Sequence, residues 1–205
     1  MKRSTLIVLK TIVWLACLWP LTELIWGAAT NNLGADPTAK ITFSTGLATL
    51  RILTISLAIT PIRRLIPELT WLVKFRRLLG LFAFFYATLH LLTYIALYAG
   101  FDVNTMATDI AKRRFITVGV AAWLLLVPLA ATSTNWAIRK MGGKGWNRLH
   151  KLVYLAAVCG VIHYWCQVKP GVLAPMNMTV ILGLLLLSRP VLTWMQRRKV
   201  RAATA

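Results

Sequence analysis

The sequence predicts an all-α, polytopic membrane protein with six transmembrane helices and both termini in the cytoplasm. Of its 205 residues, 58% are hydrophobic and only 14% are charged, whereas soluble domains average about 45–50% apolar and about 25% charged residues. Six apolar stretches each approach the roughly 20 residues that a helix needs to cross a bilayer. Because no long polar segment separates them, we expect residues 1–205 to form a single transmembrane domain.

The six spans are expected near residues 6–27, 43–61, 78–100, 115–132, 150–167 and 177–195. The first span has a basic start, as a signal peptide does. Its apolar run is longer than a signal peptide needs, however, and it contains Trp14, Trp19 and Trp26. We therefore expect this span to be retained.

Lysine and arginine are concentrated beside alternate span ends, and this pattern sets the predicted orientation. Basic clusters occur at the N-terminus, between the second and third spans, between the fourth and fifth spans, and in the tail. Because basic loops tend to stay in the cytoplasm, both termini are predicted to be cytoplasmic. The cluster Lys112–Arg114 is the exception, on a flank that also holds Asp102 and Asp109. The net charge of +19 is interpreted as a topology signal rather than as a nucleic-acid-binding surface.

The three cysteines, Cys17, Cys159 and Cys166, all fall within apolar segments. None belongs to a CxxC or CxxCH motif, so neither a zinc site nor covalent haem attachment is supported. We expect free thiols that behave as small apolar side chains.

Two of the three histidines are matched in depth. At 1.5 Å per residue, His90 lies about 18 Å along the third span and His163 about 20 Å along the fifth, and both spans run outward. Ionisable side chains inside a membrane are costly and usually functional. Two imidazoles at one depth are what a bis-histidine haem b requires, so His90 and His163 are the predicted axial ligands. The alternative for each is a hydrogen-bonded core histidine.

His150 lies at the cytoplasmic end of the fifth span, one haem layer below His163. A second haem there would need a ligand on the third span at the position that Arg77 occupies. Three interpretations stay open. The second haem has one protein ligand, or it is completed from elsewhere, or there is no second haem and His150 serves a quinone or flavin site.

Arginines near these histidines are candidate contacts for cofactor anions. Arg76 and Arg77 could bind a propionate, a phosphate or a semiquinone anion, although topology and headgroup contact explain them at least as well. Arg51 lies inside the second span near the depth of the histidine pair. It either binds a haem propionate or snorkels to the surface. Arg189 is expected to snorkel.

Two segments carry a family resemblance: RRLLGLFAFFYATLHLLTY, from Arg76 to Tyr94, and GWNRLHKLVYLAAVCGVIHYW, from Gly145 to Trp165. They resemble the ferric-reductase-like transmembrane superfamily. Within it, the chain is similar in length, span number and histidine count to the small bacterial haem-binding subunits of periplasmic methionine sulfoxide reductase systems. The resemblance implies an inner-membrane electron carrier that binds haem b and, in some members, FMN, with His90, His150 and His163 at the family's histidine positions.

The resemblance also implies partners. Electrons would come from the quinone pool or from a cytoplasmic flavin reductase. They would pass to a separate periplasmic molybdopterin enzyme that repairs oxidised methionine in proteins. Larger relatives add a cytoplasmic FAD/NADPH domain, for which residues 1–205 offer no room, so a separate donor is expected. The chain is thus expected to be an electron-transfer subunit rather than the catalytic one.

Two rival functions remain at the level of sequence. A stand-alone ferric or cupric reductase would use the same electron path. A cofactor-free small transporter or a membrane anchor belongs to a different class. No carboxylate lies at the centre of a predicted span, which weakens the case for a proton-coupled transporter.

Overall fold

The computed structural model describes residues 2–168 and 173–203, and within them every regular element is helical. The helices are α1 (Arg3–Ala29), α2 (Pro37–Leu65), α3 (Arg76–Thr93), α4 (Val103–Lys112), α5 (Arg114–Ala131), α6 (Asn135–Leu149), α7 (Leu152–Gln167) and α8 (Ala174–Ala203). A 3-10 segment (Pro67–Phe75) leads into α3, and a π-helical turn (Tyr94–Tyr98) continues it. The predicted all-α class is confirmed.

The described helices include five that are long and apolar enough to cross a membrane. They are Arg3–Ala29, Pro37–Leu65, Pro67–Tyr98, Arg114–Ala131 and Ala174–Arg198. The pair α6 and α7 passes the same test jointly but is bent by 40° at the break between the two helices. If this pair is one span, the number is six. The chain is therefore a multi-pass membrane protein.

The helix starts carry the capping residues that local chemistry favours. Asp36 accepts a hydrogen bond of 2.9 Å from the Ala39 amide at the start of α2, where Pro37 occupies the first helical position. Thr134 accepts from the Ala137 amide at the start of α6. These caps satisfy backbone donors that the helix itself leaves unpaired.

Two helix pairs form the centre of the fold, because α2 packs most closely against α3, and α5 against α7. The buried core includes Leu53 and Leu57 of α2, Ala83 and Tyr86 of α3, and Ala157 of α7. By contrast, α1 is almost entirely exposed, and Trp19 and Trp26 are 69% and 72% exposed. Because a membrane protein needs no polar outer face, such surfaces are suited to contact with lipid.

Tyr86 attaches α1 to the rest of the bundle. Its hydroxyl donates to the Cys17 carbonyl at 2.7 Å and accepts from the Leu21 amide at 3.2 Å. Pro20 lies between those two residues, inside α1. A side chain that enters the backbone hydrogen-bond ladder beside a proline is a usual site of helix bending. The ring of Tyr86 is fully buried, so this contact fixes the middle of α1.

Two helices were not expected from the hydropathy pattern. The helix α4 has no buried residue. The basic cluster Lys112–Arg114, the exception to the charge pattern, lies at the end of α4 and at the start of α5. The helix α6 is broken at Gly142, whose φ of +69° suits glycine. Neither helix is apolar along its whole length, so neither stands out by itself as a membrane span.

Candidate functional site

A cavity of about 410 Å³ lies between the two central helix pairs. Four helices line it: α2, α3, α5 and α7. Most of the lining is apolar, and the polar side chains include His90 on α3 and His163 on α7. Its size is within the range of sites that hold a cofactor or a drug-sized ligand.

His90 and His163 meet inside this cavity. Their ring centroids are 5.8 Å apart, and the ring planes make an angle of 84°. The matched depth expected from the sequence thus corresponds to a direct pairing of the two side chains. Both rings are partly buried.

Each of the two imidazoles is oriented by a backbone carbonyl of a neighbouring helix. Nδ1 of His90 donates to the Thr42 carbonyl at 2.9 Å, and Nδ1 of His163 donates to the Phe115 carbonyl at 2.7 Å. Because a carbonyl can only accept, Nδ1 carries the proton in both rings. Nε2 of each ring is then unprotonated, which leaves its lone pair free to bind a metal.

The pair meets the requirements of two axial haem ligands. An imidazole–metal bond is about 2 Å long, so two nitrogens on opposite sides of one metal lie about 4 Å apart, with their ring centroids further apart. The observed 5.8 Å between centroids agrees with that spacing. A metal-binding histidine usually donates its second N–H to a carbonyl or carboxylate, as both rings do here. The residues therefore fit a bis-histidine haem.

His150 has a different environment. Its Nε2 lies 3.2 Å from the Thr132 hydroxyl, which itself donates to the Pro128 carbonyl. This contact occupies Nε2 of His150, whichever of the two atoms donates. The indole of Trp146 stacks on the ring, with centroids 3.6 Å apart. His150 is thus held as a hydrogen-bonded, stacked side chain, outside the cavity that contains the histidine pair.

None of the arginines selected from the sequence lines the cavity. Arg51 is exposed on α2. Arg77 is also exposed and donates to the Asn135 side chain at 2.7 Å. Arg76 lies close enough to Tyr154 and to His150 to interact with them electrostatically.

Arg189 does not snorkel. Its guanidinium donates to the Tyr154 hydroxyl and to the Leu57 carbonyl, both at 2.7 Å, and lies over the Tyr154 ring. The expectation failed because a tyrosine and a carbonyl inside the bundle offered this side chain closer partners than the membrane surface did. Arg189 and Arg76 therefore form, with Tyr154, a basic cluster inside the helix bundle.

Among the described residues, the arginine that lines the cavity is Arg113, which belongs to the basic cluster that is an exception to the charge pattern. Its Nε pairs with Asp109 at 2.9 Å, and Asp109 also accepts from the Tyr94 hydroxyl at 2.9 Å. These contacts bring α4, the start of α5 and the end of α3 together at one end of the cavity. A basic cluster on the wrong side for topology was the signal that could have identified it.

Comparison with known proteins first gives the class. The family model described as "Ferric reductase like transmembrane component" matches residues 43–161. That match covers α2 from Phe43 onward, the helices α3 to α6, and α7 as far as Val161. It includes His90 and His150 and ends two residues before His163. The chain is thus a ferric-reductase-like transmembrane component.

Curated relatives then give the particular family. A protein of Herminiimonas arsenicoxydans is 45% identical over 96% of this chain and 91% of its own length. A protein of Rhodospirillum rubrum is 49% identical over 94% of this chain and 92% of its own length. Both are named "Protein-methionine-sulfoxide reductase heme-binding subunit MsrQ". The chain belongs to the MsrQ family.

Proposed function

We propose that this protein is the haem-binding membrane subunit of a protein-methionine-sulfoxide reductase. It would lie in the bacterial inner membrane and carry electrons to a separate periplasmic molybdopterin subunit, with which it would form a heterodimer. The names of its relatives support the haem and the reductase. The multi-pass fold supports a role in passing electrons through a membrane rather than in catalysis on a soluble substrate.

The observation that carries the proposal is the pair of imidazoles with free Nε2 atoms in an apolar cavity. We propose that His90 and His163 are the axial ligands of one haem b. Haem iron supplies reversible one-electron transfer, and two strong protein ligands leave no open position for oxygen chemistry. The side chains that surround the site are mostly apolar, as suits a haem inside a membrane.

At the end of the cavity near α4, we propose that Arg113 binds a haem carboxylate. Arginine is suited to carboxylates because its planar guanidinium offers several donors in a fixed geometry. Its Nε is held by Asp109, so the remaining N–H groups can serve a ligand. Arg51 stays a weaker candidate, since its side chain is exposed on α2.

At the opposite side, we propose that electrons enter near the basic cluster of Arg76 and Arg189 with Tyr154. A quinone or the flavin of a reductase becomes anionic when it is partly reduced, and guanidinium groups stabilise such a charge. This group of side chains, with His150 nearby, is the candidate contact for FMN or a quinone. Arg77 is a weaker candidate, because its side chain is exposed and one of its nitrogens donates to Asn135.

Haem analysis of purified variants tests the ligand assignment. The wild type should show a b-type spectrum when reduced with dithionite. His90→Ala and His163→Ala should each lose most of that signal, because one axial bond disappears. His150→Ala should keep it, because Nε2 of His150 binds Thr132 instead. Equal haem loss in His150→Ala would reveal a second haem, and full haem content in both other variants would refute the assignment.

Activity with a partner separates the proposed function from a stand-alone metal reductase. Membranes that contain the protein should reduce a methionine-sulfoxide protein substrate only when the periplasmic subunit is also present. Membranes with His163→Ala should lose that activity. Reduction of ferric chelates at the same rate with or without the subunit would favour the metal reductase instead.

A further inference from the structure

Two glycines occupy equivalent positions beside the two histidines. Gly46 lies on α2 four residues after Thr42, and Gly119 lies on α5 four residues after Phe115. Thr42 and Phe115 are the residues whose carbonyls accept from His90 and His163. The cavity is therefore built from two halves, each with a carbonyl at one position and a glycine at the fourth position after it.

The glycines leave room that a side chain would remove. A Cβ on Gly46 would lie 3.0 Å from Cε1 and 3.1 Å from Nδ1 of His90. A Cβ on Gly119 would lie 2.8 Å from Nδ1 and 2.9 Å from Cε1 of His163. Contacts below 3.0 Å are essentially never found for a real Cβ, so a substitution at Gly119 must displace the imidazole of His163. At Gly46 the contacts are tight, and the imidazole of His90 must move by a few tenths of an ångström.

Helix geometry explains why glycine is needed at the fourth position. The carbonyl of one residue points towards the amide of the fourth residue after it, and the Cβ of that fourth residue tilts back towards the helix N-terminus. A side chain there partly covers the carbonyl. With glycine, the carbonyl can use its second lone pair for a donor from another helix.

We infer that Gly46 and Gly119 are positioning residues for the haem ligands. They expose the carbonyls of Thr42 and Phe115, and they let the two imidazoles lie against neighbouring helices with nearly perpendicular planes. This inference rests on the proposed haem ligation. The two glycines act through the histidines, and they set the ring orientation and the strength of the Nδ1 hydrogen bonds.

The orientation of the rings can be measured in the wild-type protein by electron paramagnetic resonance. In low-spin ferric haem, perpendicular axial planes bring two iron d orbitals close in energy and give a single, strongly anisotropic signal. Parallel planes separate those orbitals and give a three-line rhombic signal. The angle of 84° between the rings predicts the first type. A rhombic three-line spectrum from the wild type would overturn the inference even if haem is bound.

Alanine variants test the two glycines individually. Gly119→Ala should lower haem affinity about 10- to 100-fold, as is typical when a partner behind a metal ligand is lost. Gly46→Ala should have the smaller effect, since its contacts are longer. In the haem that remains, the midpoint potential should rise, because weaker Nδ1 hydrogen bonds make the imidazoles poorer donors to ferric iron.

Gly80→Ala is the matched control, because Gly80 lies on α3 with His90 and a Cβ there meets nothing within 4 Å. Alanine is the better helix former, so general helix weakening would not explain a loss in the other variants. If Gly46→Ala and Gly119→Ala match the wild type and the Gly80→Ala control in haem content, potential and spectrum, the inference is wrong. If the wild type itself binds no haem, the proposed function fails instead.

Discussion

At the scale of single residues, Arg113 and Arg51 carry the same charge but differ in their position relative to the cavity. Arg113 lines the cavity and is held by Asp109, whereas Arg51 is exposed on α2. A positive charge near a haem stabilises the reduced form, which carries one more electron. The sequence drew attention to Arg51, because an arginine inside a span is conspicuous. For Arg113 the sequence offered only the misplaced basic cluster, and its position beside the cavity depends on the fold of α4.

Replacing these two arginines should have different effects on the haem midpoint potential. Arg113→Gln should lower the haem midpoint potential by tens of millivolts, given that about 59 mV corresponds to a tenfold change for one electron. The loss of the cation also leaves the Asp109 charge uncompensated, which acts in the same direction. Arg51→Gln is the control and should leave the potential unchanged. Spectroelectrochemical titration measures both, and a larger shift in Arg51→Gln would contradict the assignment of Arg113.

The histidine pair and its partners show the limit of sequence reasoning at this scale. The depths of His90 and His163 could be counted along two spans, and the rings do meet. Their carbonyl partners could not be predicted, because every residue has a carbonyl and only the packing of α2 on α3 and of α5 on α7 selects Thr42 and Phe115.

At the scale of elements, α4 is the helix that hydropathy could not predict. It has ten residues, none of them buried, and its sequence resembles a polar loop. Its start is fixed by Asp102, whose carboxylate accepts from the Thr105 hydroxyl and from the amides of Asn104 and Thr105. These hydrogen bonds, that of the Thr105 hydroxyl first, hold the pKa of Asp102 below its usual value.

This cap makes the start of α4 sensitive to acid. Because the pKa of Asp102 is lowered on folding, the cap is complete above the usual aspartate value of about 3.9 and is lost as the pH falls through the lower, folded value. Hydrogen exchange of the α4 amides should then approach that of Asp102→Ala measured at the same pH. At neutral pH the wild type should exchange more slowly than Asp102→Ala. Equal exchange at neutral pH would show that the cap is not needed.

At the scale of the whole molecule, the uneven distribution of lysine and arginine predicts which way the bundle faces. With both termini in the cytoplasm, the Arg113 end of the cavity faces the periplasm and the cluster of Arg76 and Arg189 faces the cytoplasm. Electrons would then enter and leave at opposite sides. The all-helical fold and the apolar spans were predictable, since both follow from hydropathy, but the helices α4 and α6 were not. The bend between α6 and α7 was not predictable either, because it depends on the local backbone geometry at His150 and Lys151, between the two helices.

Reporter fusions test this orientation. A fluorescent protein fused after residue 205 should fluoresce, and alkaline phosphatase at the same place should be inactive. Alkaline phosphatase inserted after Asn32, between α1 and α2, should be active, because that loop would face the periplasm. The reverse pattern would exchange the proposed entry and exit sides.

The division of the cavity into two halves also bears on how the protein is made. The half with His90 belongs to α2 and α3, whereas the half with His163 belongs to α5 and α7, which leave the ribosome later. Under the proposed ligation, a haem would find both of its histidine ligands only after α7 has been inserted. Haem binding would then be a late step in biogenesis, and the bound haem would hold the two helix pairs together.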